Sequence, residues 1–231
     1  MPRVVFPVVS AVSAALLWGT LNCLGDVPDS RVTNSNIFMD TLLINRMPNY
    51  VRYAMLEPAQ LESMEVVVNT KNWAGHKFKA NFTTNTVTGL EHGVRRFNNC
   101  YPLRIDAGNI TVACNIHFRG VQIFLDGFGT GDSTLKATHQ VTASATMANS
   151  YALVEVAGSR SHEPGSLIGF TLAPLNFTVT QGPDIGLGKD RAAEFQAKLK
   201  EALSPRVSQL FLDRYQTALA KAVKTVNLPP V

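Results

Sequence analysis

The groups in this 231-residue chain that could do chemistry are five histidines, three cysteines and a few polar residues set among glycines. His76, His92, His117, His139 and His162 stand singly, whereas a zinc site usually draws paired ligands at short spacing. They read as surface or satisfied core residues, and no metal is expected. Gly165-Ser166-Leu167-Ile168-Gly169 carries its serine one place too early for a nucleophile elbow, and there is no His-Glu-x-x-His. Gly186-Leu187-Gly188-Lys189 hints at a phosphate cradle. It lacks the Walker spacing, and Asp190 stands where a magnesium-binding hydroxyl would be, so it reads as a hinge before a helix. Asp126 and Asp132 flank a glycine-rich stretch, read as a flexible loop, that could hold calcium, but the EF-hand pattern is missing. No enzyme activity and no cofactor are expected.

The cysteines carry a sharper deduction. Cys23 lies in an apolar leader, which leaves Cys100 and Cys114. Between them, Asp106-Ala107-Gly108 reads as a three-residue hairpin loop, with Gly108 in the left-handed place. That loop pairs Ile105 with Asn109 and sets Cys100 directly opposite Cys114. Their Cα atoms would be about 4.5 Å apart, at the lower edge of disulfide geometry. A Cys100–Cys114 cross-strand disulfide is expected, in preference to two free buried thiols. Pro102 falls at a non-hydrogen-bonded place, where its missing N–H costs little. The misfit is Arg104, which this register puts on the same face as Ile110.

The disulfide needs an oxidising compartment, and the first 25 residues point to one. Arg3 is the only charge before Asp26, and the run between them is apolar, ending in Asn22-Cys23-Leu24-Gly25. This is the layout of a secretory signal peptide, cleaved after Gly25. Pro7, Ser10, Ser13 and Thr20-Leu21-Asn22 make it a poor membrane anchor. Leu21-Asn22-Cys23 faintly resembles a lipoprotein box, with Asn where a small residue belongs. Three sequons, at Asn81, Asn109 and Asn176, agree with secretion and are the expected glycosylation sites. The expected organisation is therefore a signal peptide over 1–25 and one domain over 26–231, extracellular. Net charge is +4, or +3 once Arg3 leaves, and no Lys/Arg cluster suggests nucleic acid. Contact with acidic lipid headgroups is permitted at that charge without being predicted.

The elements follow from periodicity. Residues 26–35 are polar and read as loose. Residues 36–56 read as a helix in two pieces, kinked at Pro48, with Ile37, Ile44, Met47, Val51 and Met55 as its apolar stripe. From about residue 61 to 180 the signals are those of strands with short breaks, which suggests an antiparallel meander. The clearest strand alternates Ile110, Val112, Cys114, Ile116 and Phe118 against a polar set. From Lys189 to about Val226 one stripe (Phe195, Leu199, Leu203, Val207, Leu210, Leu219, Ala222 and Val226) runs through Ser204-Pro205 without losing phase. A single bent helix is preferred to two helices joined at a Ser204 cap. A helix that long implies an elongated molecule with the sheet wrapped along it.

Met47-Pro48-Asn49-Tyr50, then Leu56-Glu57-Pro58 leading to Met64-Glu65-Val66, resembles the proline-containing entry of the takeout and juvenile-hormone-binding proteins. Asn85-Thr86-Val87-Thr88-Gly89-Leu90 is similar to their second-strand motif. The secreted arthropod branch that includes the mite group 7 allergens looks most alike, within the tubular lipid-binding, bactericidal/permeability-increasing-like superfamily. The resemblance implies an α+β fold: a strongly curved antiparallel sheet around a long C-terminal helix, with a shorter N-terminal helix. It also implies a hydrophobic ligand held non-covalently in a tunnel. The insect hormone binders carry a disulfide near the mature N-terminus that this chain lacks, which argues against juvenile hormone as ligand.

The expected function is a secreted carrier for a hydrophobic small molecule or lipid. Its cavity would be lined by Val66, Val68, Ile110, Val112, Ile116 and Phe118 from the sheet. Phe195, Leu199, Leu203, Leu210 and Phe211 would join them from the helix. The alternative is an extracellular protein acting through its surface on membranes or on host factors. A cluster of Arg and Lys at one tip, with apolar neighbours, would favour that alternative.

Overall fold

The computed structural model describes residues 29–69, 77–131, 138–159, 161–182 and 185–230. The leader over 1–25, His76 and Asp132 lie outside these. The class is α+β, with an N-terminal helix, antiparallel sheets and a long C-terminal helix.

The N-terminal helix starts earlier than its composition suggests. The Asp29 side chain accepts a hydrogen bond from the Arg31 N–H and caps α1 (Ser30–Asp40), so residues 30–35 are helical and not loose. A π turn over Thr41–Arg46 joins α1 to α2 (Met47–Tyr53). A π turn inserts a residue into the helical repeat. The buried stripe is therefore Phe38, Met39, Leu42, Leu43, Met47 and Val51. Ile37, Ile44 and Met55, expected in it, are exposed. Pro48 falls in the first turn of α2, where its missing N–H costs least.

Among the described residues eleven strands follow: β1 (Ala59–Leu61), β2 (Met64–Val68), β3 (Phe78–Thr88), β4 (Arg95–Arg96), β5 (Arg104–Asp106), β6 (Asn109–His117), β7 (Gln122–Thr130), β8 (His139–Met147), β9 (Tyr151–Gly158), β10 (Ser166–Leu172) and β11 (Phe177–Gln181). They do not form a simple meander. One sheet runs β1-β3-β7-β8-β11, with β2 also on β3; the other runs β10-β9-β6-β4, with β5 on β6. Short links such as Phe118–Val121 between β6 and β7 move the chain from one sheet to the other. Local alternation predicts strands but carries no information about which strand pairs with which.

Two local expectations change. Residues 126–130 belong to β7 and not to a loop. A Cβ at Gly127 would lie 2.0 Å from the Asn81 carbonyl oxygen, beside the bulge between Phe82 and Thr84. Glycine there lets two strands approach closely. The β5–β6 turn has two residues, Ala107 and Gly108, both at positive φ as a type I′ turn requires. Arg104 therefore faces Thr111 rather than sharing the side of Ile110, and reaches Glu155 at 3.5 Å.

The C-terminal helix is continuous through α3 (Lys189–Gln209), a π turn (Leu210–Tyr215) and α4 (Gln216–Val223). Those 35 residues make a rod of about 52 Å at 1.5 Å per residue. Pro205 lies inside α3 without ending it. Next to it, Arg206 donates to the carbonyls of Ala202 (2.9 Å) and Ser63 (3.1 Å), tying the helix to the β1–β2 turn. Buried residues recur every fourth place: Phe195, Leu199, Leu203, Val207, Phe211, Tyr215, Leu219 and Val223. At 3.6 residues per turn, each such step advances the stripe by about 40° around the helix. The buried face thus rotates along the rod. Its first half packs on β2 and β11 of the first sheet, and its second half on β10 of the second sheet and on α2.

Candidate functional site

The predicted ligand residues are distributed over β2, β6 and the C-terminal helix. Val66 and Val68 lie on the buried side of β2, against α3. Ile110, Val112 and Ile116 share the buried side of β6, and Phe118 follows that strand. Phe195, Leu199 and Leu203 come from α3, and Leu210 and Phe211 from the π turn. All eleven are buried and belong to one contiguous apolar cluster. Phe195 meets Phe78 edge-on at 6.0 Å and Phe82 at 6.3 Å. Further along, Phe118 and Phe211 rings lie 4.3 Å apart, and Phe211 meets Tyr215 at 5.4 Å.

Sequence reasoning missed Tyr215 and Phe170, whose rings lie 6.2 Å apart. Tyr215 sits four residues after Phe211, so the four-residue rhythm could have found it; its polar end kept it out of an apolar stripe. The Tyr215 hydroxyl is fully buried and has no hydrogen-bond partner among the described residues. Burial pushes its ionisation far above the ordinary tyrosine range, against a weaker opposing pull from Arg95. Tyr215 is thus a neutral hydrogen-bond donor in an aromatic surround.

Among the described residues four clefts open on the outside, and none of these four is lined by the eleven predicted residues. The largest of these four, about 530 Å³, lies on the outer side of the first sheet, between Thr84, Phe124, Asp126, Thr142, Ser144 and Thr180. A second, about 410 Å³, runs beside the disulfide hairpin over Tyr101, Pro102, Leu103 and Leu153, with Arg31, Arg104 and Glu155 at its rim. A third is framed by Phe97, His117, Arg119 and Tyr151. The fourth joins the ends of α2 and α4 through Tyr50, Tyr53, Arg214 and Lys221.

The Cys100–Cys114 disulfide forms, with Cα atoms 4.4 Å apart. It forms although the turn is shorter than expected. The pairing slips by one residue between Arg104, opposite Thr111, and Tyr101, whose N–H donates to the Ala113 carbonyl. Pro102 lies in that stretch and has no N–H to hold a ladder in register. The two resemblance motifs also meet. The Glu57 carboxylate accepts from the N–H groups of Gly89 (2.9 Å) and Glu91 (3.1 Å), while buried Asn85 donates to the Glu62 and Phe82 carbonyls. Those motifs act here as structural ties. Asn81, Asn109 and Asn176 are all exposed. Asp126 accepts from Gln140, and among the described residues no group of His, Cys, Asp or Glu is arranged to hold a metal ion.

No protein-family model and no curated protein sequence matches the chain. Among solved structures, a crystal structure of lipopolysaccharide binding protein superposes with a TM-score of 0.36 at 12% identity, covering 79% of this chain. The match spans 41% of that protein's length.

Proposed function

We propose that this protein is a secreted, non-enzymatic binding protein for a hydrophobic small molecule or lipid, held between the C-terminal helix and the sheets. The observation that carries the reading is the seam itself: a rod of about 52 Å whose buried face is almost wholly apolar from Phe195 to Val223 and packs on the two sheets in succession. Such a seam offers a linear chain a long apolar contact, worth about 25 cal/mol per Å² buried. The takeout-like motifs at residues 47–66 and 85–90 support the same reading. Val66, Val68, Ile110, Val112, Ile116, Phe118, Phe195, Leu199, Leu203, Leu210 and Phe211 would contact the ligand as helix and sheet part around it. The test is native mass spectrometry of the protein purified from a secreting host, followed by organic extraction and displacement of a hydrophobic fluorophore by fatty acids. A co-purifying lipid or micromolar displacement is expected. A protein that takes up neither lipid nor probe overturns the proposal.

One observation favours a second reading, action at a membrane surface. Tyr53 and Met55 are exposed at the end of the N-terminal helix, and Arg214 donates to the Ala54 and Met55 carbonyls, both at 2.9 Å. Among the described residues, neither Arg214 nor nearby Lys221 has a carboxylate within ion-pair range. Apolar side chains beside cations suit an interface with anionic lipid. Sedimentation with phosphatidylglycerol vesicles, but not with phosphatidylcholine vesicles, is expected. Loss of that binding in Tyr53→Ser/Met55→Ser would locate it, equal sedimentation with both lipids would remove the role of the cations, and sedimentation with neither would exclude the reading.

A further inference from the structure

Tyr215 presents a donor with nothing to donate to. Its side chain is fully buried, its hydroxyl has no partner among the described residues, and its ring is flanked by Phe170 and Phe211. A buried polar group left unpaired costs stability, so a native protein that keeps one calls for a physical explanation. The residue also lies on the π turn of the C-terminal helix, a departure from α geometry that is frequent at functional sites.

We infer that Tyr215 is the polar anchor of the seam, donating a hydrogen bond to the acceptor oxygen of a long-chain carboxylic acid or its ester. The inference rests on the carrier reading and specifies its ligand. The surround fits that chemistry. Three aromatic rings, Phe118, Phe170 and Phe211, supply apolar contact for the chain next to the headgroup. Arg95 of β4 is the cation whose field reaches the hydroxyl, and among the described residues it has no carboxylate in ion-pair range. A positive field with a neutral donor favours an acceptor oxygen over a cationic or donor-only headgroup. A route in also exists. Phe170 is the least covered of the three rings, and its strand β10 is the edge of the second sheet, lying against α4. Parting β10 from the helix would bring a ligand to the hydroxyl without opening the rest of the core.

The test compares wild-type full-length protein with Tyr215→Phe. Oleic acid, methyl oleate and 1-octadecene, a hydrocarbon of equal chain length, each displace a bound fluorophore. Wild type is expected to bind all three. In Tyr215→Phe, affinity for one or both oxygen-bearing ligands should fall about five- to tenfold, the loss of one hydrogen bond, while octadecene changes less than twofold. A fall for both assigns the shared carbonyl oxygen, and a fall for oleic acid alone assigns the carboxylate; each upholds the inference. An equal change for all three ligands, or none for any, overturns it and leaves the carrier reading standing. Wild type that binds none of them overturns the carrier reading itself. Thermal melting without ligand adds a check. Tyr215→Phe should melt at or above wild type, because the hydroxyl has no partner to lose. A clearly lower melting temperature would mean that the hydroxyl is already satisfied, and overturns the assignment.

Discussion

The two sheets bury the same helix by different means. The first sheet has long strands, with nine residues or more in β3, β7 and β8, and the helix packs on its β2 and β11. The second has two long neighbours, β6 and β9, and then falls away to the short strands β4 and β5. It makes up the deficit with side-chain ties. The Cys100–Cys114 disulfide joins the β4–β5 segment to β6. The Asn36 side chain accepts from the Cys100 N–H, and Asp40 holds Arg96 through two contacts at 3.0 and 2.8 Å. These ties fasten the N-terminal helix over the second sheet. Long ladders need few staples; short ones borrow order from covalent and ionic links.

Cutting the seam under each sheet gives the largest expected effect. Phe195→Ala removes a ring packed on Phe78 and Phe82 of the first sheet, and Phe211→Ala one packed on Phe118 at the second. Each should cost about 3–5 kcal/mol in denaturant unfolding. Because one continuous helix spans both sheets, each variant should still unfold in a single transition. Two separate transitions would show that the halves are independent.

The disulfide comes next. Replacing both Cys100 and Cys114 by Ala should cost about 3 kcal/mol, the chain-entropy value for a loop of this length. Hydrogen exchange should quicken in β4, β5 and the start of β6 while β3, β7 and β8 stay protected. Uniform loosening of both sheets would erase the distinction between them.

The contrast also separates what was legible in the sequence from what was not. Alternation marked β6 and the four-residue rhythm marked the C-terminal helix, because both signals depend on residues adjacent in one element. The N-terminal stripe was misplaced because a π turn at Thr41–Arg46 shifts phase without a distinctive residue to announce it. The turn before Asn109 was read one residue too long, since Asp106-Ala107-Gly108 suits either loop and only the partner strand decides. The disulfide survived that error because the slip around Pro102 restored the pairing. Of the proposed site, period marked the apolar faces of β6 and the C-terminal helix, but Phe211 lay outside the helical stripe, and period does not say which buried positions would meet a ligand. Tyr215 was not marked, because its significance lies in a missing partner, which is a property of three-dimensional surroundings.

The ionic tie is a smaller lever. Asp40→Asn keeps the shape of the Asp40–Arg96 contact but removes its charge. Because both side chains are partly exposed, a loss of about 1 kcal/mol is expected. The loss should appear as faster exchange in α1 and β4 and leave α3 unchanged. Equal loosening of α3 would mean that the N-terminal helix and the first sheet open together.

The smallest effect is a pH dependence confined to the second sheet. His117, at the end of β6, is held below the ordinary imidazole range, first by burial and then by the positive charges of Arg119 and Arg95. Neutral His117 accepts the Arg119 N–H at Nδ1 (3.3 Å) and meets Phe97 edge-on at 6.3 Å. With a depressed folded value, the unfolded chain takes up the proton first as pH falls. Stability is then full above about pH 6.5 and declines as pH drops from there towards the folded value, below which the decline stops. His117→Gln keeps an acceptor but cannot titrate. The difference in unfolding free energy between wild type and His117→Gln should therefore shift against wild type between about pH 7 and 5, and exchange near β4 and β6 should follow it. A difference that stays constant across that range would mean that the imidazole is solvated like a free one, and that the cleft between Phe97 and Tyr151 does not exclude water from it.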